Sequence, residues 1–196
     1  MRAFVAILLD DPLRDLLAAE VTRLRALVHD VAWVGRDNFH LTLKFLGDVD
    51  HGRLQAIVAA LGGAVAGCPP FDLGVGGLGA FPSPTRPRVL WVGLEEGATE
   101  AGRLAGRVDD ALAGLGFERE TRAFSPHVTL GRVREPRRQP GLAEVLRGGG
   151  FGRQRVDRLR LMQSTLSPHG ARYTELAAVP LSATPHAESE SAPRSG

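Results

Sequence analysis

Residues 39–45 read FHLTLKF and residues 126–132 read PHVTLGR, so the pattern His-x-Thr-x occurs twice, 87 residues apart. Because side chains alternate along a β-strand, the histidine and the threonine of each copy share one face and the apolar residues occupy the other. A single copy would be typical of a half-buried strand with a solvated polar face. Two copies at matching places predict one shared site. Its candidate members are His40, Thr42, His127 and Thr129.

The sequence around the two motifs is repeated as well. At the same offset, apolar positions of an amphipathic segment align between the halves, Leu17 with Leu104 and Val21 with Val108. Each half therefore predicts a helix, a short strand, the motif strand, a shorter helix and further strands. This order indicates an α+β protein with two pseudo-symmetric lobes. The alternative is a chance alignment of two amphipathic helices.

Local signals set the expected bounds of the elements. Residues 2–9 form an apolar run typical of a buried strand, and Asp11 with Pro12 predict the N-cap and first turn of a helix that ends near His29. A second helix is expected over residues 51–61, and Gly116 is a candidate C-cap for the helix of the second half. Further strands are expected at residues 32–34, 39–45, 71–78, 89–94, 117–119, 124–133, 156–164 and 173–179.

The four candidate side chains offer two titratable rings and two hydroxyl groups. An in-line displacement at phosphorus needs a base on the attacking side and an acid on the leaving side, and imidazoles with an ordinary pKa of about 6.5 can fill both roles near neutral pH. The threonine hydroxyls can donate to non-bridging phosphate oxygens. A metal centre is the weaker hypothesis, because the two motifs supply only two good ligands and no carboxylate.

Composition limits the class of protein. The chain has 196 residues, 43% hydrophobic content and a formal net charge of +2, which fit a single bilobal domain over residues 1–181. Cys68 is the only cysteine, which excludes an internal disulfide and a cysteine-based zinc site within one chain and favours a cytoplasmic location. No run of 18 apolar residues occurs, so no membrane span is expected. Residues 182–196 are small, polar and proline-containing and are expected to form a disordered tail.

Five longer runs include and surround the motifs. They are MRAFVAILL from residue 1, WVGRDNFHLTLKFLGDV from residue 33, FPSPTRPRVLWVGL from residue 81, FSPHVTLGRV from residue 124 and LMQSTLSPHGARYTELAAVPL from residue 161. Together they resemble the two-histidine phosphoesterase superfamily and, within it, the RNA 2′,3′-cyclic phosphodiesterases once described as 2′-5′ RNA ligases. The resemblance implies a bilobal α+β fold in which each lobe has an antiparallel sheet and flanking helices, with the active-site groove between the lobes.

The same resemblance implies a function and roles for residues. It implies metal-independent hydrolysis of RNA or nucleotide 2′,3′-cyclic phosphates to 2′-phosphates, with His40 donating a proton to the departing O3′ and His127 activating water. It suggests Phe45 for base contact and Arg132 for phosphate contact. We expect RNA ends or nucleotides with that cyclic group as partners, no cofactor, no membrane and a monomer. Two alternatives stay open: a non-catalytic nucleotide-binding module, and cleavage or joining of 2′-5′ linkages.

Strict alternation conflicts with two of these assignments. Phe45 and Arg132 stand five positions after the motif histidines and would therefore lie on the opposite face of each strand. A β-bulge would resolve the conflict, and Gly131 favours one beside Arg132. Phe45 fits core packing as well as it fits base stacking. Lys44, the only lysine, is in phase with His40 and is expected to be a solvated charge at the strand end.

Other polar and turn-forming residues are expected outside the site. The proline-rich residues 81–88 separate the two halves and predict a rigid connector, with Arg86 or Arg88 near RNA as the alternative. Glycine-rich pieces at residues 74–79 and 148–150 lack the strand, fingerprint and helix order of a nucleotide-cofactor loop. Four histidines lack the motif context and are expected at the surface: His29, His51, His169 and His186.

Overall fold

The computed structural model describes residues 1–167 and 170–183 and has the α+β fold that the sequence predicted. The strands of the described part are β1 (Arg2–Leu8), β2 (Val31–Trp33), β3 (His40–Asp48), β4 (Phe71–Phe81), β5 (Val89–Glu96), β6 (Val128–Val133), β7 (Gly150–Val156), β8 (Arg158–Ser167) and β9 (Gly170–Pro180). The helices are α1 (Asp11–Leu27), α2 (Leu54–Val65), α3 (Ala98–Ala113) and α4 (Leu142–Val145), with 3₁₀ turns at Arg36–Asn38 and His51–Arg53.

Some of the predictions cannot be compared with the structure. His169, His186 and the part of the predicted tail from residue 184 onward lie outside the described residues. Within the described ranges, none of the helices has the length and apolar character needed to cross a membrane.

All of these strands belong to one strongly curled antiparallel sheet. Its order is β7-β4-β5-β6-β3-β1-β8-β9, and β2 pairs with β6 off this path. The order is symmetric about the junction between the motif strands: β5 and β1 flank them, β4 and β8 come next, and β7 and β9 form the edges. Leu41 of β3 pairs with Val128 of β6 at the junction. The sheet therefore has two pseudo-symmetric halves, as the two-lobed prediction implies, but each half combines strands from both halves of the sequence.

Two of the helices cross from one half of the sheet to the other. Helix α1, which follows β1, packs against β7 at the far edge of the other half. Helices α2 and α3 pack against each other, and they contact β9 and β3 respectively. The apolar stripes of α1 and α3 are thus buried against the half of the sheet that does not contain the preceding strand, whereas α2 packs against β9 in the same half as β3. In α1 the predicted stripe is confirmed, since the following residues are all buried: Leu13, Leu17, Val21, Leu24 and Val28.

Several bounds differ from the predictions for local reasons. The N-cap of α1 is Asp10 rather than Asp11, because the Asp10 carboxylate accepts a hydrogen bond from the Leu13 amide at 3.0 Å. The C-cap of α3 is Gly114 rather than Gly116. Residues 117–119 form no strand. The predicted strand at residues 124–133 begins only at Val128, and the edge strand β7 was missed because its glycines and arginines give no apolar alternation.

Each motif strand contains a β-bulge at the fourth residue of its motif. In β3, Thr42 pairs with Ala6 and Lys44 pairs with Val5, so Leu43 is the inserted residue. In β6, Thr129 pairs with Trp91 and Gly131 pairs with Leu90, so Leu130 is the inserted residue. A bulge reverses the alternation beyond it. Strict alternation would have placed Phe45 and Arg132 on the face opposite the histidines. The two bulges return both residues to the face of the histidines.

The bulge in β3 corrects the prediction for Lys44. Instead of a solvated charge, Lys44 lies on the core face with 8% of its surface exposed. Its ammonium group donates to Asp109 Oδ1 on α3 at 2.5 Å and to the Glu118 carbonyl at 2.7 Å. The Glu118 carbonyl belongs to residues 117–119, which the sequence predicted as a strand, and it accepts from Lys44. Burial would raise the pKa of Asp109, but hydrogen bonds from Lys44 and the Glu120 amide hold it below its usual value.

We predict that Lys44→Met destabilises the fold by about 3 kcal/mol, because it leaves the largely buried carboxylate of Asp109 with only the exposed Arg119, at 3.8 Å, as a cation. Urea unfolding followed by circular dichroism measures this change. The matched control is Phe45→Ala at the adjacent position, whose side chain is 70% exposed and should change stability by less than about 0.5 kcal/mol. Equal midpoints for the Lys44 variant and the unmodified protein would contradict the assignment of this ion pair as a structural contact.

Candidate active site

The four predicted motif residues are brought together at the β3–β6 junction. An antiparallel ladder through the Leu41–Val128 pair sets His40 beside Thr129 and Thr42 beside His127. Leu41 and Val128 are fully buried, whereas the histidines and threonines are partly exposed. The polar residues of both motifs therefore face away from the core, as the alternation predicted, and they form one cluster on the open face of the sheet.

Both imidazoles make the same backbone hydrogen bond. The Nδ1 atom of His40 lies 2.7 Å from the Asn38 carbonyl, and the Nδ1 atom of His127 lies 2.7 Å from the Ser125 carbonyl. A carbonyl oxygen only accepts, so Nδ1 carries the proton in each ring. This bond fixes the tautomer and leaves Nε2 free to accept or, once protonated, to donate. The two rings are thus prepared for proton transfer through equivalent atoms.

His40 sits among aromatic rings from the outer strands of its half. Its ring centroid is 4.9 Å from that of Phe4 on β1 and 5.2 Å from that of Tyr173 on β9, the latter in an edge-on arrangement. Burial in this setting lowers the pKa of His40 below its ordinary value, the hydrogen bond to the Asn38 carbonyl opposes the shift, and the nearby His127 adds to it. The imidazolium form of His40 is consequently a stronger acid than free imidazolium.

His127 has a corresponding aromatic setting in the other half. Its ring centroid is 5.0 Å from that of Phe81 on β4 and 6.4 Å from that of Trp91 on β5. The Trp91 ring can lie across β4 because position 79 is glycine: a Cβ there would stand 2.2 Å from Trp91 Cζ2. The glycine-rich stretch of β4 therefore supports the site by leaving room for an aromatic ring, which the sequence pattern did not reveal.

The threonine hydroxyls are available to a ligand. Within the described part of the chain, neither Thr42 nor Thr129 forms a side-chain hydrogen bond, and both are partly exposed. Each hydroxyl lies one position beyond a buried motif residue and beside the histidine of the other motif. An anionic group placed between the two imidazoles could therefore accept from both hydroxyls.

The paired bulges carry Phe45 and Arg132 to the face of the histidines. Phe45 is 70% exposed, with its ring centroid 6.2 Å from that of Phe4, so the prediction that it could belong to the core is wrong. Burial raises the pKa of Tyr173, and the positive charge of the exposed Arg132 opposes this shift. Tyr173 in turn contacts His40, with 5.2 Å between the ring centroids. Phe45 and Arg132 border the cluster.

Sequence reasoning missed the aromatic neighbours of the histidines. They are Phe4, Phe81, Trp91 and Tyr173. The apolar run at the start of the chain indicates only that Phe4 belongs to a buried strand, and the others come from strands whose distance from the motif depends on the sheet order. In the ranges that the structure describes, no three His, Cys, Asp or Glu side chains converge as possible metal ligands.

Comparison with known proteins finds a match over most of the chain. The family model for LigT-like phosphoesterases matches residues 7–91 and again residues 92–173, in agreement with the repeat predicted from the sequence. An RNA 2′,3′-cyclic phosphodiesterase of Methanothermobacter thermautotrophicus is 37% identical over 179 residues, covering 90% of this chain and 96% of the relative.

Solved structures also resemble this chain. A crystal structure of a Thermus thermophilus protein has a TM-score of 0.77 at 29% identity and covers 92% of this chain and 98% of its own. E. coli LigT complexed with 3′-AMP has a TM-score of 0.72 at 29% identity and covers 92% of this chain and 97% of its own. The whole sheet, including both motif strands, is therefore common to solved structures at nearly full length.

We predict that His127→Gln raises the pKa of His40, because it removes the positive charge that opposes protonation of the neighbouring ring. A pH titration of the imidazole resonances by NMR measures this change. In the unmodified protein His40 should titrate below the usual range for histidine. Phe45→Ala, which changes a nearby uncharged ring, should move the His40 titration less. A His40 pKa that stays the same in the His127 variant would contradict the electrostatic coupling of the two rings.

Proposed function

This chain belongs to the LigT-like phosphoesterase family, and on that basis we propose that it hydrolyses RNA or nucleotide 2′,3′-cyclic phosphates to 2′-phosphates. The observation that carries the proposal is the pair of imidazoles whose Nδ1 atoms are fixed by backbone carbonyls and whose Nε2 atoms form no hydrogen bond within the described residues. Binding a phosphate requires only hydrogen-bond donors, whereas displacement at phosphorus requires a matched acid and base. The name of the Methanothermobacter relative supports the same reaction.

In the proposed reaction water attacks phosphorus as the P–O3′ bond breaks. Nε2 of His127 takes a proton from the water, and Nε2 of protonated His40 gives a proton to O3′, so the two rings exchange their protonation states in each turnover. The assignment of the two roles follows the family resemblance, because the geometry of the pair is nearly symmetric. Because the P–O3′ bond is the one that breaks, the phosphate stays on O2′. The product is then a 2′-phosphate with a free 3′-hydroxyl.

The remaining predicted residues would hold the phosphate and the base. Thr42 and Thr129 would donate to the non-bridging oxygens, and the guanidinium of Arg132 would balance the charge that grows in the transition state. The negative phosphodiester beside His40 would favour its imidazolium form and so offset the effect of burial on its pKa. The exposed Phe45 ring offers a stacking surface for a base. A nucleotide ligand is also named for E. coli LigT, in its complex with 3′-AMP.

One chain contributes both histidines, so the proposed site needs no second subunit. A monomer in the cytoplasm is the arrangement we propose, and size-exclusion chromatography with light scattering tests its oligomeric part. The single cysteine, Cys68, is unpaired and partly buried, which is compatible with a reducing compartment.

We predict that His40→Ala and His127→Ala each lower kcat for a 2′,3′-cyclic mononucleotide by about 10² to 10⁴, the usual effect of removing a positioned acid or base. Phosphorus NMR measures turnover and identifies the product. His51→Ala, at an exposed histidine of a 3₁₀ turn, is the matched control and should keep full activity. Unchanged turnover in either motif variant, or a 3′-phosphate product, would reject the proposed reaction.

We also predict that the reaction proceeds without a divalent metal, because imidazole, hydroxyl and guanidinium groups supply the acid, the base and the charge stabilisation. Turnover measured after dialysis against EDTA should equal turnover before it. Loss of activity with EDTA, followed by recovery on adding a divalent ion, would contradict this prediction.

A further inference from the structure

Two loops next to the site carry an excess of unpaired positive charge. Residues 82–88 and 132–141 together contain six arginines and one glutamate, whereas the whole chain has a formal net charge of only +2. Arg137 forms ion pairs with Glu135 at 3.1 Å and Asp30 at 3.5 Å. The other five arginines have no side-chain hydrogen bond or ion pair within the described residues. They are Arg86, Arg88, Arg132, Arg134 and Arg138.

Backbone hydrogen bonds hold these loops together and attach them to the strands of the site. The Gln139 amide donates to the Thr85 carbonyl at 3.0 Å, and the Val133 amide donates to the Arg88 carbonyl at 2.9 Å. The Arg88 amide donates to the carbonyl of Phe81, whose ring contacts His127. We call residues 82–88 and 134–141 the arginine rim. Its position is therefore fixed relative to the proposed catalytic residues.

The arginine rim contains a cavity of suitable chemistry for a phosphate. A surface cavity of about 410 Å³ is lined by Thr85, Arg86 and Arg138, so each of the two loops contributes an exposed arginine. A guanidinium binds phosphate through two parallel N–H donors, and a threonine hydroxyl can donate a third hydrogen bond. Within the described part of the chain no carboxylate pairs with either arginine. Both guanidinium groups are thus available to an anion.

The cavity lies outside the histidine cluster, because all three of its lining residues come from the loops that follow β4 and β6. Because Leu130 is an inserted residue, Thr129 and Arg132 lie two steps apart along the partner strand, about 7 Å, and residues 134–141 of the rim follow Arg132. A 2′,3′-cyclic phosphate is the 3′ end of an RNA strand, so every other phosphate of that strand lies on its 5′ side. From these facts, and on the basis of the proposed function, we propose that the arginine rim binds the RNA backbone 5′ of the terminal nucleotide, with Arg86 and Arg138 holding one phosphate.

This assignment separates two classes of substrate. A cyclic mononucleotide occupies only the histidine cluster and makes no contact with the arginine rim. A single-stranded oligonucleotide occupies both, and its binding releases counterions from the phosphates that the arginines neutralise. Loss of the rim arginines should therefore raise KM for the oligonucleotide and weaken the dependence of that KM on salt concentration. It should have no effect on kcat for either substrate, because the rim does not touch the reacting phosphate.

The test compares an Arg86→Ala/Arg138→Ala double variant with the unmodified enzyme on a hexanucleotide and on a mononucleotide, both ending in a 2′,3′-cyclic phosphate. We expect KM for the hexanucleotide to rise roughly tenfold and its log–log salt slope to fall by about 0.7, because one phosphate is no longer neutralised, with kcat and all mononucleotide constants unchanged. Arg103→Ala, at an exposed arginine of α3 without an ion pair among the described residues, is the matched control. Equal KM values for the double variant and the control would overturn the proposal.

Failure of the proposed function would be visible separately. Fluorescence anisotropy with a labelled hexanucleotide ending in a 2′-phosphate measures binding without turnover. Weaker binding by the double variant, with a reduced salt slope, would support the arginine rim even if neither cyclic substrate were hydrolysed. Hydrolysis of both substrates with identical KM and anisotropy in the double variant would uphold the proposed function and overturn the rim.

Discussion

The antiparallel contact between Leu41 and Val128 joins the two halves of the sheet and determines where every other part of the site lies. Both residues are fully buried, and their side chains point into the core. Side chains alternate along each strand, so the residues next to Leu41 and Val128 point away from the core. His40 and His127 therefore lie together on the open face of the sheet. A slip of one residue in the register would turn the histidine of the strand that slips into the core and expose its leucine or valine. Burial of the apolar motif positions thus holds the polar positions in place.

The symmetry of this arrangement is not complete, and the differences matter for chemistry. Both rings donate through Nδ1 to the carbonyl two residues earlier, and both motif strands bulge at the fourth motif residue. After the bulge, however, one half presents Phe45 and the other presents Arg132. A nucleobase and a phosphate need different partners. Because the two motif strands carry different residues at this position, the site can orient an asymmetric ligand. In-line attack also requires the two imidazoles to be in different protonation states.

Much of this could be predicted from the sequence because it depends on local periodicity. The repeated motif, the stripe on α1 and the fold class follow from alternation and helical spacing. The burial of Lys44 could not be predicted, since strict alternation assumes a regular strand and its partner Asp109 lies 65 residues away. The bulge at Leu43 has no glycine to signal it, unlike the one that Gly131 indicated. Trp91 reaches His127 only through the sheet order, and the unpaired arginines are distinguishable from the others only once their neighbours are known.

The central claim is that the two imidazoles divide the work of acid and base, and an activated leaving group tests it most directly. A nitrophenyl phosphodiester releases a phenolate that needs little protonation, so its hydrolysis should depend on a base but hardly on an acid. The account predicts that the loss caused by His40→Ala shrinks to less than about tenfold on this substrate, while the loss caused by His127→Ala remains. Rescue of the His127 variant instead would exchange the roles, and equal losses in both variants on both substrates would contradict an acid–base pair.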